Sequence, residues 1–264
     1  MLAFERDRGQ AMTRRILLVN PNVTEAITAT MVAEARRTAS AGTEIVPATA
    51  RFGTQYIENR VEAAIAGHAV LEALAEHAPG CDAAIVAAFG DPGVHAAKEM
   101  LEIPVLGIAE AAFLTAWTLG RRYAIVCLTP RLGVWYRECA VEHGLDGRLV
   151  AVRPLDVPPS DITAAKEQTG RRLVEACHEV IDRHGAEVVI MGGGPIAGLA
   201  RTVAHEIPVP VLDGVTCAVR MAEALVDLAP QPAARGSFAR PPAKPSQGLS
   251  PALRAWVERS GDGS

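Results

Sequence analysis

With 264 residues, 49% of them hydrophobic, the chain can build one large cored domain or two small ones, which excludes a fibre or a wholly unfolded tail. Lys and Arg number 26 against 30 Asp and Glu, a formal net charge of -4, so no cationic surplus is available for a phosphate backbone and nucleic acid is not an expected partner. No apolar run approaches the ~18 to 20 residues that span a bilayer, and the opening MLAFERDRGQAMTRR lacks the apolar stretch of a signal peptide, so a soluble, cytoplasmic protein without a membrane partner is expected.

The chain alternates short apolar runs with Ala-rich helical stretches. RILLVN (15–20) is followed by a helix over about 24–39, DAAIVAAF (82–89) by one over about 93–101, and then come IPVLGI (103–108) and YAIVCL (123–128). A helix over about 163–184 precedes EVVIM (187–191), another over about 196–206 precedes VPVLDG (209–214), and a last helix covers about 215–228. Strands without polar alternation are buried on both faces, which implies parallel sheets covered by helices and an α/β class. The ends differ. Residues 1–13 read as a tail, and 229–264, with six prolines between Ala229 and Pro251, as a mostly disordered tail with a weak helix near 253–259.

The sequence also resembles itself. Asp82 to Ala88 followed by Ile103 to Gly107 matches Glu187 to Gly193 followed by Val209 to Asp213, and Ile16 to Asn22 lines up with Tyr123 to Thr129. Two pseudo-symmetric α/β lobes follow, one of 14–112 with 213–228 and the other of 113–212. The carboxyl ends of their strands should face a common cleft, where α/β sheets bind ligands. A small-molecule substrate is the expected partner.

Three turns sit at such strand ends. Asn20-Pro21-Asn22-Val23-Thr24 supplies amides and a helix start that can cap the next helix or hold a ligand oxygen. Ala88-Phe89-Gly90-Asp91-Pro92-Gly93 has the glycines and proline of a tight strand-to-helix turn. Gly192-Gly193-Gly194-Pro195-Ile196-Ala197, with Asp213 some twenty residues on, fits the letters of a dinucleotide fingerprint, but its counterpart at 88–93 has no such pattern. Tyr56, Glu58 and Arg60 lie in a long connection that could wall a pocket, with solvated surface as the plainer reading of Glu58 and Arg60. Glu110 follows a strand end as either a helix cap or a catalytic carboxylate. The five scattered cysteines and seven histidines have neither disulfide nor zinc spacing, so no metal is expected.

Together, Asn20-Pro21-Asn22, Ala88 to Gly93, Gly107 to Ala112, Gly192 with Ala197 to Ala200, and Val211 to Gly214 resemble the hydantoin racemase branch of the aspartate/glutamate racemase superfamily, over about 14–228. The resemblance implies two α/β lobes, no cofactor, a homo-oligomer, and one cysteine in each lobe to move a proton on or off a stereocentre. Ala88 and Gly193 stand at those two positions. Three accounts are open: a cysteine substituted at Ala88; an altered isomerase, lyase, decarboxylase or hydrolase chemistry drawing on Tyr56, Glu110, Cys127 or Asp91; or a silent lobe pair that binds a small ligand. The first two jointly give the reading expected here, a racemase-like isomerase or lyase on a small hydantoin-like or amino-acid-derived substrate, in which Asn22, Thr24, Thr129, Pro195 and the peptide groups of Ala88, Phe89, Gly193 and Gly194 hold the ligand. A nucleotide-dependent oxidoreductase is the remaining alternative.

Overall fold

The computed structural model describes residues 13–157 and 166–258, for 166–169 the backbone alone. The first half runs β1 (Arg14–Asn20), α1 (Glu25–Thr38), β2 (Thr43–Thr49), α2 (Arg60–His77), β3 (Ala83–Val86), α3 (Val94–Met100) and β4 (Val105–Gly107). The second runs α4 (Ile108–Leu119), β5 (Tyr123–Cys127), α5 (Pro130–Glu142), β6 (Leu149–Pro154), α6 (Lys166–His184), β7 (Val188–Gly192), α7 (Leu199–Val203) and β8 (Val211–Asp213), with α8 (Gly214–Leu228) and α9 (Pro251–Glu258) closing the chain. All strands pair in parallel, in two sheets of the same order, β2-β1-β3-β4 and β6-β5-β7-β8. The internal repeat is thus a pair of equivalent α/β lobes.

Central strands β3, β5 and β7 are buried along their whole length, as continuous Val/Ile/Ala runs require. The edges are different. β2 contains Pro47, which an edge strand tolerates because one side of its backbone needs no partner. β6 alternates buried and half-buried residues at first. Neither β2 nor β6 has the continuous apolar run that marks the central strands, and neither they nor α2, α4 and α5 are among the elements expected from the sequence. The helix expected over 196–206 is broken into two 3-10 turns around the five residues of α7, because Gly198 takes a left-handed φ of 81°.

The helices after β4 and β8 exchange lobes. α4 packs on β7 of the second sheet, α8 packs on β1, β3 and β4 of the first, and the two lie against each other. One hydrophobic core therefore runs through both lobes, from Ile16 and Leu18 to Ile125 and Ile190. The close approach needs glycine: a Cβ on Gly214 would come within 2.7 Å of the Ile108 carbonyl oxygen.

Glu223 fastens α8 to the turn before β2. Its carboxylate accepts from the Ser40 amide (2.6 Å) and hydroxyl (3.0 Å), the Thr43 hydroxyl (2.7 Å) and Arg220 (3.1 Å). Burial alone would raise its pKa, but these donors outweigh it and hold the carboxyl below the usual range. A carboxyl with a lowered folded-state pKa stabilises the fold above its unfolded value, and that stability is lost as pH falls through the folded value. Wild type is expected to exceed Glu223→Gln by roughly 2 kcal/mol in urea unfolding near neutrality, and the gap to shrink below about pH 4. A gap that widens in acid would contradict this.

The proline-rich segment departs from expectation. α9 packs on α2, and Leu253 is 4% exposed in a second core with Leu17, Val70 and Leu74. Ser250 accepts from the Leu253 amide and bonds to Glu72, so the helix is both capped and anchored. A few apolar side chains placed on an existing helix face are enough to seat α9, while residues 230–250 carry no helix or strand. Residues 1–12 and 259–264 lie outside the described residues. Among the described residues no helix is long and apolar enough to cross a membrane.

Candidate active site

The tips of β3 and β7 and the start of α1 meet at a small cavity between the lobes. The first lobe supplies Asn22, Ile27, Ala88 and Phe89, and the second Leu128, Trp135, Tyr136, Gly193, Gly194 and Pro195. The connection between β2 and α2 covers it with Tyr56, Ile57 and Glu58. That cover is latched on the second lobe, where the Thr129 hydroxyl donates to Glu58 (3.2 Å) and Arg60 pairs with Glu138.

Asn22 is set by its neighbours. Its side-chain oxygen accepts from Asn20 Nδ2 (3.0 Å) and from the Thr24 amide (2.9 Å), while its Nδ2 has no partner among the described residues. The peptide N–H groups of Ala88, Phe89, Gly193 and Gly194 likewise donate to no described residue, although all four belong to the cavity wall. Buried peptide donors are almost always paired, so a cluster of open ones at two strand tips suits the oxygens of a ligand.

Gly193 has φ 137° and ψ 133°, a conformation that L side chains rarely adopt. A Cβ there would nevertheless have room, 3.6 Å from the Tyr136 hydroxyl and 3.7 Å from Ile196. Gly194 is pressed against α1, where a Cβ would meet Met31 Sδ at 2.9 Å.

Several expected site residues are committed elsewhere. The Thr24 hydroxyl donates to the Gln55 carbonyl (2.7 Å), tying the cover to α1, and Thr129 caps α5 through the Leu132 amide (3.3 Å). Neither lines the cavity. Glu110 pairs with Lys98 at 2.5 Å and caps α4 at Gly107, outside the cavity. Asp91 accepts from the Ala109 (2.9 Å) and Glu110 (2.7 Å) amides and bonds to His143 (3.1 Å). Cys127 is fully buried beside Gly133, and burial pushes its thiol up to about 12. Helix capping and core packing claim the side chains of Glu110, Cys127 and Asp91, and none of the three lines the cavity. The nucleotide reading loses its support too. Asp213, which a ribose would need, accepts from the Gly198 (2.5 Å) and Thr216 (3.0 Å) amides as the cap of α8.

Tyr136 and Trp135 escaped the sequence reading because α5 itself was not assigned. Burial first, and then the Glu58 and Asp91 carboxylates, push the Tyr136 hydroxyl well above its ordinary pKa, so it stays protonated as a donor. Among the described residues, the ionisable side chains of the cavity wall are Tyr56, Glu58 and Tyr136, with no Lys, Arg, His or Cys.

Asp91, Cys139 and His143 place three donor atoms within 4.8 Å of one another, away from the cavity. Both Asp91 oxygens already serve the first turn of α4, so this cluster anchors a helix.

The sequence pattern of the Asp/Glu/Hydantoin racemase family matches residues 16–222. A hydantoin racemase of Paenarthrobacter aurescens is 32% identical over 235 residues, which cover 87% of this chain and 98% of that one. An allantoin racemase structure from Klebsiella pneumoniae aligns with a TM-score of 0.86 and 35% identity over 91% of this chain and 98% of the other. The allantoin racemase of Pseudomonas fluorescens gives 0.86 and 35% over 89% and 100%. With the lobes, their exchanged helices and the inter-lobe cavity, these likenesses place the protein: it belongs to the Asp/Glu/hydantoin racemase family.

Proposed function

We propose that the protein is a cofactor-independent racemase-like isomerase or lyase for a small hydantoin-like or amino-acid-derived ring. The observation that carries this reading is the set of open peptide N–H groups at Ala88, Phe89, Gly193 and Gly194 around one inter-lobe cavity. A ring C–H next to a carbonyl loses its proton when the resulting enolate oxygen is met by fixed donors, and peptide N–H groups provide them without reorganisation. The lack of a cation among the described residues of the cavity wall favours a neutral amide or imide over a free carboxylate, which would meet Glu58 without a counter-charge. The names of the relatives, hydantoin racemase and allantoin racemase, agree with a ring amide.

A panel of enantiopure 5-substituted hydantoins and allantoin, incubated with the protein in D2O, is expected to include at least one that loses optical rotation or gains deuterium at the ring carbon by NMR. Calorimetry on the same panel separates turnover from binding. Tight binding with no exchange across the panel would favour a silent ligand-binding protein.

A further inference from the structure

Because no thiol lines the cavity, any proton moved there needs another carrier. The wall offers one carboxylate, Glu58, and Tyr136 places its hydroxyl 3.6 Å from where a Gly193 side chain would begin. Glu58 comes from the first lobe's cover and is oriented by a hydroxyl of the second, Thr129, while its own peptide N–H is held by Glu62 at 2.7 Å. Tyr136 comes from α5, and its ring is held tilted against Phe89, with centroids 4.7 Å apart, and beside Trp135.

Resting on the reading above, we propose that Glu58 is the single general base of this cavity and that Tyr136, with the Asn22 amide, hydrogen-bonds the enolate oxygen. In the forward step the ring C–H bond breaks, its proton passes to a Glu58 carboxylate oxygen, and its electron pair spreads onto the adjacent carbonyl as an enolate. In the return step the electron pair re-forms a C–H bond with the proton that Glu58 gives up, on either face once the planar enolate has turned. The carboxylate is regenerated and no second reactant is consumed. A phenol that stays protonated is suited to this donor role and unsuited to that of base, and a general base paired with a phenolic oxyanion donor is an established division of labour for carbon acids. Thr129 is a positioning residue in this scheme.

Single-base transfer has an isotopic signature. A substrate deuterated at the ring carbon and turned over in H2O should yield product that retains part of its label, whereas separate acid and base groups on opposite faces wash it out. Glu58→Gln is expected to slow exchange by about a hundredfold or more, and Tyr136→Phe by on the order of a hundredfold, each with ligand binding changed only a few-fold by calorimetry. Glu58→Asp, which keeps the charge on a shorter reach, should retain intermediate activity, and thermal melts check that all three variants fold. Exchange by folded Glu58→Gln at the wild-type rate, or complete label loss in every wild-type product, overturns the assignment while leaving the isomerase reading standing. A wild type that binds the panel and exchanges none of it overturns both.

Discussion

Replacing Gly107 with alanine is expected to cost the fold on the order of 4 kcal/mol and to lower the melting temperature by about 10 °C. The Gly107 backbone is ordinary, with φ -88° and ψ 149°, so the effect does not come from the loss of a special conformation. It comes from space. A Cβ at this position would fall inside the Asp91 carboxylate, which is short, buried and held by three partners. Moving that carboxylate leaves the Ala109 and Glu110 amides uncapped and His143 without its acceptor, each a buried polar group that loses its bond. Asp91→Ala should cost a similar amount for the same reason. The double variant should therefore cost no more than either single one, because the clash and the cap are the same event. Additive losses in urea unfolding would show that the two positions act separately. The damage should also reach the cavity, since Asp91 shares its turn with Ala88 and Phe89.

Ala88→Cys should raise solvent-proton exchange into a ring-amide substrate on the order of a hundredfold and abolish the retention of a substrate-derived label. Ala88 is half-buried at the tip of β3 and lines the cavity, so a thiol there adds a second proton carrier on the first-lobe side. Gly193→Cys should not repeat the gain. The opposite tip has room for the first side-chain atom, but at φ 137° an L residue costs about 1 to 3 kcal/mol or forces the Gly193 peptide to turn. Such a turn would redirect two of the open N–H groups. Deuterium uptake by NMR and thermal melts on both variants check the pair of outcomes. Equal gains at the two tips, or none at Ala88, would contradict this account.

The sequence alone was sufficient for the class of fold, for the repeat and for the three turns that surround the cavity. Buried parallel strands are uninterrupted apolar runs, and strand-to-helix turns need Asn, Pro and Gly within a few residues, so both signals are local. Tertiary structure decided which side chains those turns leave free. Thr24, Glu110 and Asp213 have the chemistry of ligand contacts, yet each satisfies a peptide group or a side chain elsewhere in the fold. Tyr136 reaches the cavity from a helix that had no distinctive sequence pattern, and Glu58, readable as plain surface, is turned to the site by Thr129, 71 positions away. The placement of α9 was likewise decided by tertiary packing, through Leu253 settling beside α2. A hydrogen-bonding group is spent or free according to what lies within about 3 Å of it, and at these places that neighbour is often contributed by a remote part of the chain.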